Sequence, residues 1–221
     1  MKIAIDGPAG AGKSTISKAI AAKLGFIYID TGAMYRAAGL SALRAGIDIL
    51  ADPESAAENT EKISIDIHCG ENGQEIFLDG ENVTGKIRTE DVSMAASNIA
   101  LIGSVRKRLV EMQRSLAKKS NVVMDGRDIG THVLPNAECK IFLTASPEAR
   151  GMRRYAELKE KGVECSLEDI CRDIIMRDKN DTERKESPLM MADDAILVDT
   201  TELSLDESIE KVLSITERKI Q

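Results

Sequence analysis

Apolar residues over the first fifty positions fall in short runs separated by helical stripes. "KIAID" (2–6) is a brief apolar run closed by Gly7, the pattern of a buried strand. From Lys13, the apolar residues Ile16, Ala19, Ile20 and Leu24 recur at helical spacing, and Gly25 ends the stripe. "FIYI" (26–29) predicts a second strand and "GAMYRAAGLSALRAG" (32–46) a second helix. This strand–helix–strand–helix opening predicts a parallel sheet with right-handed crossovers.

The period then changes. Asp52 and Pro53 start a short helix as N-cap and first helical residue. "ISIDIHC" (63–69) alternates apolar and polar positions, "GENG" (70–73) is turn chemistry, and "QEIFLDGENVTGKIR" (74–88) reads as hairpin material. A patch of about 25 residues is too small to enclose a core, so it is expected as an antiparallel insertion in an α/β chain. Helical text resumes over 90–118. "NVVMD" (121–125) and "CKIFLT" (139–144) are short buried strands, with "GRDIG" following the first. Ser146, with Pro147 behind it, opens a further helix, and Ser166 with Asp169 in the Glu place opens a strongly charged one. "AILVD" (195–199) is the last strand, and Ser204 with Glu207 caps a final helix running toward Lys219. The methionines and cysteines at 165–176 and 190–191 are expected to fill gaps in the core.

Composition narrows the function classes. The 221 residues suffice for one good core, and 43% apolar with 30% charged residues is the balance of a soluble globular chain. No apolar run approaches the ~20 residues that cross a bilayer. "MKIAID" meets an acid too early for a signal peptide. Cys69, Cys139, Cys165 and Cys171 form no CxxC pair and have only His68 and His132 beside them, which argues against zinc and for reduced thiols in a cytoplasmic setting. Thirty basic against 37 acidic residues gives −7, and aromatics are 3% without Trp. Neither suits a nucleic-acid binder. A phosphate ligand must therefore be held by local clusters, not by the overall field.

One such cluster stands at the front of the chain. Gly7, Pro8, Ala9, Gly10, Ala11, Gly12, Lys13, Ser14 and Thr15 contain the pattern G-x-x-x-x-G-K-[ST], after a strand and at the opening of a helix. Glycines let the backbone curl so that several N–H groups point inward, and the helix N-terminus adds partial positive charge. Lys13 can reach the β- and γ-phosphates and Ser14 can ligate Mg²⁺. A tight turn with an ordinary surface Lys is the bland alternative; spacing, Lys, hydroxyl and flanking elements all speak against it.

The loop alone fits kinases, GTPases and ATP-driven machines. The nearest string to a guanine-reading N-K-x-D motif is "DKND" (178–181), in the wrong order and after a charged helix. A small-molecule kinase needs arginines at the sheet's C-terminal edge to grip a second phosphate. "YIDTGAMYR" supplies Thr31 and Arg36 after the second strand, and "VVMDGRDIG" supplies Asp125, Arg127 and Asp128 after another. In an open parallel sheet, loops beyond the carboxyl ends of strands meet in one crevice. Arg177, Asp181 and Arg184 fall at i, i+4 and i+7, one face if the stretch is helical, and suit a mobile lid that brings arginine to the transferring group. Arg153 and Arg154, one helix earlier, can do the same for ATP. Taken singly, each of these has a plain reading as a cap or a solvated charge. A kinase for another monophosphate or a small alcohol, and a nucleotide switch, remain the competing classes.

"DGPAGAGKST", "DTGAMYR", the inserted patch ending in "GKIR", "DGRDIGTHVLPNA" and "RDKNDTERKESPL" together resemble the bacterial-type cytidylate kinases, in order and over nearly the full length. The resemblance implies phosphoryl transfer from ATP, with Mg²⁺, to CMP or dCMP. It implies a P-loop NTPase-type parallel sheet core flanked by helices, with a small antiparallel insertion and a mobile lid. The expected division is a single domain over 1–221, with core 1–50 and 90–221, a monophosphate-binding insertion at about 60–88 and a lid at about 150–188. By position, Thr31, Arg106 and Asp128 are similar to that family's cytosine-reading groups, and Arg177 and Asp181 to its ribose contacts. Arg36, Arg127 and Arg184 are similar to its acceptor-phosphate contacts, with Arg88 a further candidate; Lys13, Arg127, Arg177 and Arg184 would be the catalytic set. The resemblance favours a monomer, while the scattered thiols, the acidic balance and the short apolar runs point to a cytoplasmic chain with no nucleic-acid or membrane partner.

Overall fold

The computed structural model describes residues 1–70, 73–118, 120–160 and 162–220. In chain order the elements are β1 (Lys2–Asp6), α1 (Lys13–Leu24), β2 (Ile27–Asp30), α2 (Thr31–Arg44), α3 (Pro53–Lys62), β3 (Ile65–Gly70), β4 (Gly73–Leu78), β5 (Glu81–Asn82), α4 (Glu90–Ile99), α5 (Gly103–Lys118), β6 (Val122–Gly126), β7 (Cys139–Thr144), α6 (Pro147–Glu160), α7 (Leu167–Glu183), β8 (Ile196–Asp199) and α8 (Leu205–Ile220). By contact density the chain forms two units: Met1–Phe26 with Asn121–Gln221, and Ile27–Ser120.

The first unit is built on a parallel sheet in which β1 lies between β6 and β7, and β8 pairs with β7. Ile3, Ala4 and Ile5 have no exposed surface, as expected of a short apolar strand covered on both faces. Helices α1, α6, α7 and α8 complete this unit. The register fixes the site. Asp6 pairs with Gly126 on one side and Phe142 on the other, so β1 and β6 end side by side. The segments that leave β1 and β6, which carry the glycine loop and "GRDIG", therefore start from the same edge. Caps follow the sequence. The Ser146 hydroxyl accepts from Ala149 N (3.1 Å), and Ser204 and Glu207 cap each other reciprocally at 2.8 and 3.3 Å.

Two expectations change here. Arg184 is not on the α7 face: the helix ends at Glu183 and Arg184 is its extended C-cap, with ψ 141. The methionines do not fill gaps, since Met176, Met190 and Met191 are 49%, 57% and 44% exposed. Among the residues of α7 only Ile174 is buried, so this helix covers the core along a single line. Cys171 does pack, because its Sγ lies 2.3 Å from where a side chain on Gly151 would begin.

The second unit has its own core. Met34, Ala37, Ala38 and Ala42 of α2 pack with Val92, Ala95 and Ile99 of α4, with Val105 and Leu109 of α5, and with Ile65, Ile76 and Leu78 of the hairpin. Gly39 lets α2 and α4 close up: a side chain there would start 2.9 Å from the Ala96 nitrogen. Helix 90–118 of the sequence reading is two helices, with Ala100–Ile102 closing the first through tightened bonds to Asn98 and Ile99. The antiparallel insertion is present as a three-stranded sheet, β3–β4–β5, in which Ile65 faces Leu78 and Ile67 faces Ile76. Asp79 and Gly80, at φ 50 and 82, make the two-residue turn between β4 and β5. The turn expected at 70–73 lies partly outside the described residues. Among the described residues no helix is long and apolar enough to cross a membrane.

Candidate active site

Between β1 and α1, the loop from Gly7 to Gly12 turns back sharply. Gly7 sits at φ 148, and a side chain there would begin 1.9 Å from the Leu143 carbonyl oxygen. Gly12 sits at φ 86 and gives α1 no side-chain cap, so the first-turn N–H groups of α1 are left for an anion. The Lys13 ammonium is 6% exposed and donates to the Pro8 carbonyl (2.7 Å). Burial, reinforced by the Arg127 charge, pushes its pKa down to about 7, against the pull of Asp125, Asp181 and Asp6. The Ser14 hydroxyl donates to Asp125 Oδ2 at 2.9 Å. A cavity of 580 Å³ opens beside the loop, lined among others by Thr15, Arg153, Arg154, Thr200 and Ser204. Arg153 is held by the Thr200 hydroxyl (3.2 Å) and the Leu203 carbonyl (3.4 Å), and Arg154 pairs with Glu157 (2.9 Å).

The segment after β6 forms the second wall of this unit. Arg127 Nε donates to Asp181 Oδ2 at 2.6 Å. Arg184 stands 3.9 Å from Asp181 and 3.5 Å from Asp128, and its side chain is 5% exposed. Burial works against the charge of Asp181, yet the Arg127 guanidinium overrides it and holds the carboxyl below its ordinary value. Arg177 lies half-buried on α7 one turn before Asp181. Five predicted residues thus gather within one unit: two guanidinium groups, Arg127 and Arg184, two carboxylates between them, and Arg177 on the same helix.

The second unit carries the other predicted set. Asp30, 4% exposed, caps α2 by accepting from Ala33 N (2.9 Å) and pairs with Arg36 (2.8 Å); Arg88 stands 3.9 Å away. The Asp30 N–H donates to Gln74 Oε1 at 2.8 Å, which ties the β4 strand to the start of α2. Thr31 and Arg106 are 3% and 4% exposed, and the Arg106 guanidinium stands 5.8 Å over the Tyr35 ring.

Comparison with known proteins decides the family. The family model described as cytidylate kinase matches residues 3–218. The chain belongs to the cytidylate kinase family. A cytidylate kinase of Caldicellulosiruptor bescii is 54% identical over 97% of this chain and 95% of its own, and one of Bacillus subtilis is 50% identical over 99% and 97%. A shikimate kinase structure from Bacteroides thetaiotaomicron covers 100% of this chain and 98% of its own, at 15% identity and a TM-score of 0.48. As a member of the cytidylate kinase family, the chain is an ATP-dependent kinase that phosphorylates CMP and dCMP.

Sequence reading missed two members of the first unit's site. In the sequence Asp6 reads as the tail of an apolar strand. Its carboxylate, 5% exposed, accepts from Ile129 N (2.8 Å) and Gly130 N (2.7 Å), and so pins the segment that carries Arg127 and Asp128. An acid ending a buried strand must be satisfied somewhere, and that was the available signal. Arg150 was overlooked beside the conspicuous Arg153–Arg154 pair.

Asp6 has a testable consequence. Burial pushes its carboxyl up to about 6, against the two N–H groups. The folded chain then holds a proton that the unfolded chain, near 4, has released. Its contribution is full below pH ~4 and lost as pH rises through ~6, on the order of 3 kcal/mol. Asp6→Asn removes this titration. Urea unfolding at pH 4.5 and 7 is expected to show a larger wild-type advantage at pH 4.5; an equal gap at both would remove Asp6 as its source.

Proposed function

We propose that this chain moves the γ-phosphoryl group of ATP to CMP or dCMP by one in-line displacement, without a covalent intermediate. An oxygen of the acceptor phosphate attacks the γ-phosphorus, the bond to the β–γ bridging oxygen breaks, and ADP leaves. A phosphate monoester loses its second proton near pH ~6, so the nucleophile is already ionised and no general base is needed. The protein's work is alignment and charge neutralisation.

The observation that carries this reading is the pairing of two cation sets in one unit. Lys13 and the loop N–H groups form one; Arg127 and Arg184, balanced by Asp181 and Asp128, form the other. A single anion needs only the first. Ser14 and Asp125, with hydroxyl and carboxylate oxygens 2.9 Å apart beside the loop, fit a magnesium ion as hard oxygen donors. When bound, Mg²⁺ supplies charge that offsets the β- and γ-phosphates. Arg153 and Arg154 line the cavity that suits the remainder of ATP.

The acceptor falls to the remaining residues. Arg36, Arg88, Arg127 and Arg184 take its phosphate, and Arg177 and Asp181 its ribose. Thr31, Arg106 and Asp128 read the base. Cytosine offers an amino donor beside a ring acceptor, so a carboxylate and a guanidinium together distinguish it from uracil, which shows a carbonyl in place of the amine. The chain works as a cytoplasmic monomer with small-molecule partners only. The insertion at about 60–88, which ends in Arg88, is the monophosphate-binding part, and the segment about 150–188 closes as a lid.

A coupled ADP-release assay against CMP, dCMP, UMP, AMP, GMP and a simple alcohol tests this. CMP and dCMP are expected to give the highest kcat/KM, with UMP at least about 10-fold lower, since a mismatched polar edge strands buried partners. Equal turnover of UMP would overturn the base-reading assignment.

A further inference from the structure

Arg150 lies on the first turn of α6 and is 3% exposed. Its guanidinium is spent on three segments at once. Nε donates to the Ala145 carbonyl (2.9 Å) at the exit of β7, and Nη1 donates to the Ala9 carbonyl (2.9 Å) in the glycine loop. Nη1 and Nη2 grip Asp178 in α7 as a fork, at 3.0 and 2.6 Å. Such a planar, two-pronged bond resists rotation and shear more than a point charge does.

Both ends of this clamp matter. On the loop side, Gly10 sits at φ 75, and a side chain there would begin 3.3 Å from Arg150 Cβ, so the loop and Arg150 are in close contact. On the helix side, Asp178 is one residue from Arg177 and one turn before Asp181. A helix transmits placement between neighbouring turns as a rigid body. Fixing Asp178 therefore fixes Asp181, whose carboxylate holds Arg127 and neighbours Arg184.

We propose that Arg150 is a positioning residue that sets α7 against the phosphate loop, so that ATP phosphates on the loop favour the arrangement that receives CMP. The inference rests on the acceptor roles given above to Arg177, Asp181 and Arg184. It makes donor and acceptor binding mutually supportive, and by linkage each tightens the other by the same factor.

The test is calorimetric titration of CMP with and without a non-hydrolysable ATP analogue. Wild-type chain is expected to bind CMP about 10-fold tighter with the analogue present. Asp178→Asn, which keeps the shape and loses the charge, and Arg150→Lys, which loses the fork, are expected to bring that ratio close to unity. Binding of the analogue alone to Asp178→Asn, whose side chain lies outside the cavity lining, should stay within about 3-fold. The double variant should be no worse than the stronger single one, and Asp178→Glu should restore part of the ratio. Thermal melts separate this from unfolding. A wild-type ratio retained in Asp178→Asn, or a shifted melting midpoint with the ratio unchanged, overturns the positioning role and leaves the acceptor assignment standing. A wild-type chain that binds the analogue but not CMP overturns the acceptor assignment and this role with it.

Discussion

Lys13→Ala is expected to lower kcat by about 10³-fold while the chain stays folded, because removing one preorganised cation from a transferring phosphoryl group forfeits several kcal/mol of barrier. The position is costly to the folded protein, which separates function from stability. The ammonium is buried, and burial pushes its pKa down to about 7. Below that pH both folded and unfolded chains carry the proton, and the full cost of burying the charge is felt. As pH rises from about 7 toward the free lysine value, the unfolded chain holds more protons than the folded one, so wild-type stability rises. Lys13→Ala lacks this dependence. Its stability relative to wild type should be highest at pH 6 and should decline by pH 9, read by urea unfolding. Near-wild-type turnover would remove Lys13 from the donor site; lost activity together with lost structure at every pH would make its role structural.

The glycine loop was legible because its chemistry is local. Strand, glycines, Lys, hydroxyl and helix follow each other in fifteen residues, and each constrains its neighbour. The charged cluster around Arg127 was legible for a related reason, since charges crowded just past a buried strand have no packing purpose there. The antiparallel insertion announced itself by a change of period from helical to alternating, and the Asp79–Gly80 turn by its residues.

What escaped depends on partners far along the chain. Asp6 meets Ile129, 123 positions away, and Arg150 meets Asp178 and Ala9, 28 and 141 away, and nothing beside them in sequence names those partners. Arg184 was placed on a helix face because 3.6 periodicity carries no mark of where a helix stops; the chain turns extended at Arg184, and the side chain still reaches Asp128. Met176 failed as a core filler because a helix covered along one line leaves most of its circumference in water, and Met190 and Met191 because they lie exposed on irregular chain outside any helix. Local patterns therefore specify the elements and their order, while the long-range carboxylate–arginine bonds that hold the site exist only once the chain is folded.

Arg127→Ala should be the next most severe change, lowering kcat/KM for CMP by about 10² to 10³-fold. The loss goes beyond one missing cation. Asp181 is held below the ordinary carboxylate range chiefly because the guanidinium, 2.6 Å away, offsets its burial, with Arg184 and Lys13 adding to the effect. Without Arg127 the burial remains and Arg184 stands 3.9 Å away, so the Asp181 carboxyl rises and protonates more easily. Two signatures follow. KM for ATP should change little, since the loop N–H groups and the cavity beside them are untouched, and Lys13, relieved of the Arg127 charge, holds its proton more firmly. The acid limb of kcat/KM for CMP should move to higher pH, because a protonated Asp181 is a weaker acceptor for the ribose hydroxyls. Arg127→Lys keeps a positive charge near Asp181 and should return the acid limb toward its wild-type position while recovering only part of the rate, for an ammonium cannot reproduce the guanidinium's fixed donors. If Arg127→Ala instead raised KM for ATP and spared CMP, Arg127 would belong to the donor, and the division between the two anion sites would have to be redrawn.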